Sequence, residues 1–266
     1  MSACRTAFFA AALVALGVVA AAARAQTPPA SPEQPALSPG MPMAMPTAMM
    51  GPPVMDNRIF AHALLEQFEA RLGGSGADFR WDGQAWAGTD YDKLWVKTEG
   101  FVRHDGTVDD GQQEFLYDRA ITSFFDLQAG LRSDLDSGTG RQWAAFGIQG
   151  LAPYFFDVEA TAYASNRGHF AARLKGSYDL LITQRLILQP EIELNLYSKS
   201  DPGRLIGGGL SDIDTGLRLR YEFSRKFAPY VGVAYEGKFG QTASLARRAG
   251  GGTGGVRFVA GVRMWF

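Results

Sequence analysis

The sequence predicts an all-β chain closed into a transmembrane antiparallel β-barrel of about twelve strands. Three observations predict it. First, the last segment alternates with a period of two: Val256, Phe258, Ala260, Val262, Met264 and Phe266 fall on one side, Arg257, Val259, Gly261, Arg263 and Trp265 on the other. A strand in water hides its apolar face; this one reads as apolar toward lipid and polar toward a lumen, closing on an aromatic residue. Second, beyond residue 25 no uninterrupted apolar run reaches roughly 18 residues, which excludes a helical span. A closed barrel is then the spanning solution that leaves no sheet edge unpaired in hydrocarbon. Third, from Asn57 onward, segments of alternating hydrophobicity recur roughly every 12 to 20 residues between turn signals.

Taken in order, residues 1–25 read as a secretory signal peptide. Arg5 gives a positive start, Phe8 to Ala23 an apolar stretch, and Ala23-Arg24-Ala25 a cleavage site before Gln26. Cys4 is expected to leave with it, so the mature chain has neither disulfide nor thiolate chemistry. Residues 26–56 hold Pro28, Pro29, Pro32, Pro35, Pro39, Pro42, Pro46, Pro52 and Pro53 and few bulky side chains except methionine. Such a segment buries too little apolar surface to offset its ordering entropy, and is expected to be a disordered Met/Pro-rich periplasmic arm.

Residues 57–266 form the expected barrel. Its segments are Ile59 to Arg71, Phe79 to Ala87, Lys93 to Arg103, Gln113 to Arg119, Phe125 to Arg132, Gln142 to Gly150, Phe155 to Ala164, Phe170 to Leu180, Leu186 to Tyr197, Ile213 to Phe223, Pro229 to Glu236 and Val256 to Phe266. Leu186 to Tyr197 splits most cleanly, with Leu188, Pro190, Ile192, Leu194 and Leu196 opposite Gln189, Glu191, Glu193 and Asn195. The spacing of Ile59, Ala63, Phe68 and Leu72 also allows a short helix, which would leave ten strands with Phe79 to Ala87 as a plug or lead-in. Long, glycine- and aspartate-rich connections alternate with short ones, and an even strand count puts the arm and the C-terminus together on the periplasmic side of a bacterial outer membrane.

A net charge of -1 gives no reason to expect nucleic acid as a partner. The chemistry concentrates instead in the arm. Six of the eight methionines lie between residues 41 and 55: Met41, Met43, Met45, Met49, Met50 and Met55. A thioether is a soft, uncharged donor that selects Cu(I) or Ag(I) and persists in an oxidising compartment where thiols are lost to disulfides. Adhesion of a low-complexity tether to an apolar surface is the competing reading. His62, just beyond the cluster, could complete a mixed sulfur and nitrogen site, while His104 and His169 fall in outer turns. No His-x-x-x-His or Glu-x-x-His pair supports structural zinc.

The inward positions carry Glu66, Lys97, Glu99, Asp126, Arg132, Asp157, Glu159, Arg173, Lys175, Asp179, Glu191, Glu193, Asp214, Arg218, Arg220, Glu222, Arg257 and Arg263. Unpaired charge in a narrow lumen is costly, so these are expected to pair with one another, with a polar ion path as the alternative. A rim-located lipid-modifying enzyme would need a base such as His104 or His169 beside Ser133, Ser165, Ser198 or Ser211, and no Gly-x-Ser-x-Gly elbow places them together. No catalytic residue is assigned.

The runs DYDKLWVKTEG (90–100), AFGIQGLAPYFFDVEATAYAS (145–165), GSYDLLITQRLILQPEIELNLY (176–197), GLSDIDTGLRLRYE (209–222), PYVGVAYEGKFG (229–240) and FVAGVRMWF (258–266) resemble the copper resistance protein B family of outer-membrane proteins. The resemblance implies an outer-membrane barrel in a copper-resistance system. It also implies an arm contributing metal ligands and a periplasmic copper-binding or copper-oxidising partner. Here the arm is short and lacks histidine, which leaves a methionine-only, Cu(I)-leaning set. The expected protein is a monomer in outer-membrane lipid that binds copper ions and supports their sequestration or passage. A copper-independent structural or narrow diffusion barrel is the alternative.

Overall fold

The computed structural model describes residues 58–73, 76–104, 106–135 and 140–266. The signal peptide and arm expectations fall outside these residues. The strands are β1 (Phe60–Gly73), β2 (Gly76–Gly88), β3 (Asp92–Val102), β4 (Val108–Ala120), β5 (Phe125–Asp134), β6 (Gln142–Ala152), β7 (Phe156–Ser165), β8 (Phe170–Ser177), the two-residue β9 (Leu180–Leu181), β10 (Leu186–Tyr197), β11 (Gly209–Tyr221), β12 (Phe227–Lys238) and β13 (Gly254–Trp265). Each pairs antiparallel with its neighbour, β8 and β9 both lie along β10, and β13 returns to β1. The result is a closed barrel of twelve strand positions, with no free edge to desolvate.

The seam is bonded to its last residue. Leu64 sits opposite Trp265 and Leu72 opposite Phe258. Ala63 and Phe266 exchange backbone hydrogen bonds, N to O, of 3.0 and 2.8 Å. The twelve-strand reading therefore holds, and the ten-strand alternative falls, because the first segment is strand and not helix. Its ambiguous spacing has a cause: the register shifts between Leu65 and Gln67, a bulge that breaks the period of two.

Two other features depart from the sequence reading. The segment Phe170 to Leu180 is not continuous. The register runs from Ser177 opposite Glu191 to Leu180 opposite Leu188, but between them Tyr178, whose N–H donates to Pro190 O at 3.1 Å, faces Pro190, which has no N–H to return to the ladder. Within the last long connection lies a helix, α1 (Gly240–Arg248), which the sequence reading leaves as loop. Its Thr242 Oγ1 accepts from Gly207 N at 2.8 Å and lies 3.0 Å from Ser211 Oγ, which ties the helix to β11 and to the connection before it.

Connection lengths follow the expected asymmetry in part: the long connection expected at His104 to Gln112 is short, because β4 already begins at Val108. At the rim holding Phe60 and Phe266, here the terminal rim, the turns after β2, β4, β6 and β11 are short. The opposite, distal rim carries the long connections after β10 and β12. The terminal turns display Tyr91, Phe124, Tyr154, Phe155 and Phe223 to the surroundings, as an interfacial aromatic girdle would.

Along the wall the alternation is inverted relative to a soluble sheet. Leu131, Phe146, Leu174, Ile192, Val231 and Phe258 are exposed on the outside, whereas Glu69, Arg71, Glu114, Asp118, Arg218 and Arg220 are buried in the lumen. That inversion predicts that Phe146→Arg, at a position 58% exposed, destabilises the barrel in lipid by about 2–4 kcal/mol, the usual cost of a cation at the midplane. Denaturant titration from liposomes checks this. A soluble sheet would tolerate the change.

Candidate functional site

The candidate site is the lumen, which is built in three levels. At the terminal mouth, His62 shares its sheet face with the opposite residue Trp86. Its ring centroid is 6.2 Å from that of Trp86 and 5.8 Å from that of Trp265. Nδ1 of His62 lies 3.1 Å from the carbonyl oxygen of Phe266. In the tautomer that donates this bond, Nε2 keeps its lone pair for a ligand.

Below the mouth is a cavity of about 1130 Å³ running from the terminal turns at Tyr91 and Ile121 to Phe124 down to Glu99, Glu114 and Arg173. Lys97 Nζ donates to Glu159 Oε2 at 2.9 Å and to the carboxamide oxygens of Gln128 and Gln149 at 3.1 Å each. Lys175 Nζ donates to Asp82 Oδ2 at 2.5 Å. At its floor Arg173 binds Glu99, Glu114 and the Tyr163 hydroxyl, and that hydroxyl donates to Glu114 at 2.7 Å. Tyr163 belongs to an aromatic cluster with Leu116, Trp143 and Ala145 that fills this side of the barrel.

Toward the distal rim the lumen is packed with ion pairs. Arg218 takes both oxygens of Glu69, Nε to Oε2 and Nη2 to Oε1, each at 2.9 Å, and also reaches Glu191 Oε2 at 3.1 Å. Arg71 Nε donates to Glu69 Oε1 at 2.8 Å, and the Tyr230 hydroxyl donates to Glu69 Oε2 at 2.9 Å. Glu69 thus serves two guanidiniums and a phenol while fully shielded from solvent. The fork geometry of arginine suits this task, since one side chain can satisfy a whole carboxylate. Nearer the rim, Asp134 accepts from Arg132, Arg204 and the Trp143 indole N–H.

Pairing is thus the state of most charges that the alternation turned inward. The sequence reading omitted Glu69, Arg71, Asp78, Arg80, Asp82, Glu114 and Asp118 from its inward list. For Glu69 and Arg71 the bulge is responsible: counting by twos from Glu66 puts Phe68 and Ala70 inward, while the extra residue turns Gln67, Glu69 and Arg71 in instead. For Asp78, Arg80 and Asp82 the signal was present, as alternation with Phe79 and Trp81. Met41, Met43, Met45, Met49, Met50 and Met55 lie outside the described residues. His104 lies in its expected turn, with its backbone N–H donating to Asp78 Oδ1 at 2.9 Å. His169 lies in the turn before β8, where its carbonyl accepts from Ser165 N. Ser198 Oγ accepts from Phe170 N, and Ser211 is engaged with Thr242. Among the described residues no group of three or more His, Cys, Asp or Glu side chains is placed to hold a metal ion.

A sequence model described as "Copper resistance protein B precursor (CopB)" matches residues 59–266, the whole of the barrel. The chain belongs to the copper resistance protein B family. It is 43% identical over 218 residues to "Copper resistance protein B" of Escherichia coli, covering 82% of this chain and 73% of that one. To the "Copper resistance protein B homolog" of Pseudomonas syringae pv. tomato it is 42% identical over 220 residues, covering 83% and 74%. Among solved structures, the KdgM porin in complex with disordered oligogalacturonate aligns at a TM-score of 0.45 and 13% identity, covering 78% of this chain and 99% of that one. So distant a likeness has no bearing on function. Membership assigns the barrel to copper resistance, and the wall of exposed apolar residues around paired charges assigns it to the outer membrane.

If Glu69 holds the distal network together, Glu69→Gln should cost about 3–5 kcal/mol, the range for breaking a buried pair and leaving its partner uncompensated. Denaturant titration of the refolded barrel checks this. A loss below about 1 kcal/mol, as for an exposed pair, would contradict the assignment.

Proposed function

We propose that this outer-membrane protein binds copper through its methionine-rich arm, Met41 to Met55, and supports copper tolerance by sequestering the ion or passing it on at the periplasmic face. The observation that carries the reading is the concentration of thioethers in a chain of a copper-resistance family, six within residues 41–55. Thioethers hold Cu(I) without deprotonation, and methionines this closely spaced in sequence can bring two or three sulfurs to one ion. The described barrel offers no comparable donor set, which supports placing the metal function in the arm.

In this reading His62 receives the ion. It lies at the start of the barrel wall seven residues after Met55, its Nε2 keeps a lone pair for a ligand in the tautomer that donates from Nδ1, and the indoles of Trp86 and Trp265 stand beside it. The arm and the C-terminus lie in the periplasm, and the protein works as a monomer without catalysis. A periplasmic copper-binding or copper-oxidising protein is the partner that would deliver or remove the ion, because no energy source is visible in the chain.

Serine in place of Met41, Met43, Met45, Met49, Met50 and Met55 together should abolish high-affinity Cu(I) binding, measured against a competing chelator under reducing conditions. Folding, read from the heat-dependent gel shift of the barrel, should be unchanged. His62→Ala should leave the arm's stoichiometry intact while removing the quenching of tryptophan emission by bound Cu(I). Unaltered copper binding in the serine variant would sink the arm assignment and favour a copper-independent diffusion barrel.

A further inference from the structure

We infer that the lumen is a gated cation path: a vestibule open at the terminal rim and shut toward the distal rim by a latch in which Arg71 and Arg80 share one oxygen of Asp214. The inference deepens the passage branch of the proposed function.

Three observations carry it. The cavity does not traverse the barrel; it descends from the terminal turns and stops at the level of Glu99, Glu114 and Arg173. Beyond that level, on the β1, β2 and β11 side, the lumen is filled by the latch. Arg71 Nη1 donates to Asp214 Oδ2 at 2.8 Å and to Glu236 Oε1 at 2.5 Å. Arg80 Nη1 donates to the same Asp214 oxygen at 2.6 Å, and its Nη2 reaches Glu193 Oε2 at 3.2 Å. The opposite side of the same level is filled by Trp143 and Tyr163, which pack with Leu116 and Ala145 in a hydrophobic cluster.

The latch is incompletely satisfied. Two guanidiniums converge on a single carboxylate oxygen, so each weakens the other's hold by like-charge repulsion. Arg71 Nη2 and Arg80 Nε are buried without a hydrogen-bond partner. Long arginine side chains can exchange carboxylates by rotamer change alone, with no movement of the hydrogen-bonded wall. The contrast with Arg218, which has both oxygens of Glu69 in a fork, marks Asp214 as the weak point.

The sign of the permeant ion follows from the vestibule. Eight carboxylates and five basic side chains line it. Low-dielectric walls focus the resulting negative potential, which concentrates cations and excludes anions.

The test is current through full-length protein in planar lipid bilayers under a KCl gradient, with K⁺ as the probe. Wild type should be mostly silent. The double variant Arg71→Gln/Arg80→Gln should raise mean conductance several-fold, with a reversal potential displaced toward that of K⁺. Asp214→Asn, which neutralises the shared acceptor and leaves the two guanidiniums repelling each other, should also raise the mean conductance. Folding of each variant is confirmed by its heat-dependent gel shift, and the second variant keeps the test open should the first not fold. Wild type conducting as well as the variants, folded variants that stay silent, or a current carried by Cl⁻ would each overturn the inference. Because the probe is K⁺, the result is independent of whether the arm binds copper, so failure of the gate and failure of the copper reading remain distinguishable.

Discussion

Hydrocarbon offers a peptide group no hydrogen-bond partner, and the rest of this structure depends on that constraint. Twelve strand positions close because an edge would strand a row of N–H and C=O groups in lipid. Closure is completed at the seam, where β1 and β13 pair from Leu64 opposite Trp265 to Leu72 opposite Phe258, with Ala63 and Phe266 bonded in both directions. Once the wall is closed, the period of two divides every strand between lipid and lumen. Phe146 and Phe258 go out; Glu69, Arg71 and Arg218 go in.

Charges turned inward meet a second constraint. A lone buried charge costs several kcal/mol, so each needs a partner across the lumen, and the partners come from strands distant in sequence. Glu69 of β1 is held by Arg218 of β11, and Asp82 of β2 by Lys175 of β8. These contacts brace a thin wall from within. They also consume the space that a wide pore would need, which is why the lumen is a vestibule of about 1130 Å³ and not an open channel.

Much of the fold was legible in the sequence because a membrane barrel writes its two solvents into alternate residues. Leu186 to Tyr197 was read correctly along its whole length, Glu191 and Glu193 included. What was not legible depends on single residues whose effect is three-dimensional. The bulge at Glu66 flips the phase of β1, hiding Glu69 and Arg71, and a bulge is defined by the partner strand. Pro190 was read as an ordinary outward residue; that it interrupts the ladder opposite Tyr178 follows only once β8 is known to lie on that side. Helix α1 is short, with its stability drawn from Thr242 and its neighbours packing on the barrel, so periodicity had little to report. Of the site, His62 was found from its position beyond the methionines. Its neighbours Trp86 and Trp265 come from strands on either side of β1, which only the closed sheet brings together.

The claim at the centre of this account is that sulfur of the arm, and not oxygen of the lumen, holds the copper. X-ray absorption at the copper edge of the Cu(I)-loaded protein tests it most directly. With Cys4 in the expected signal peptide, sulfur in the mature chain is thioether sulfur, and Met264 is its one source beyond the arm. The account predicts a dominant shell of sulfur scatterers, with at most one imidazole nitrogen from His62. A shell of oxygen and nitrogen alone would contradict it and move the copper to the carboxylates of the vestibule.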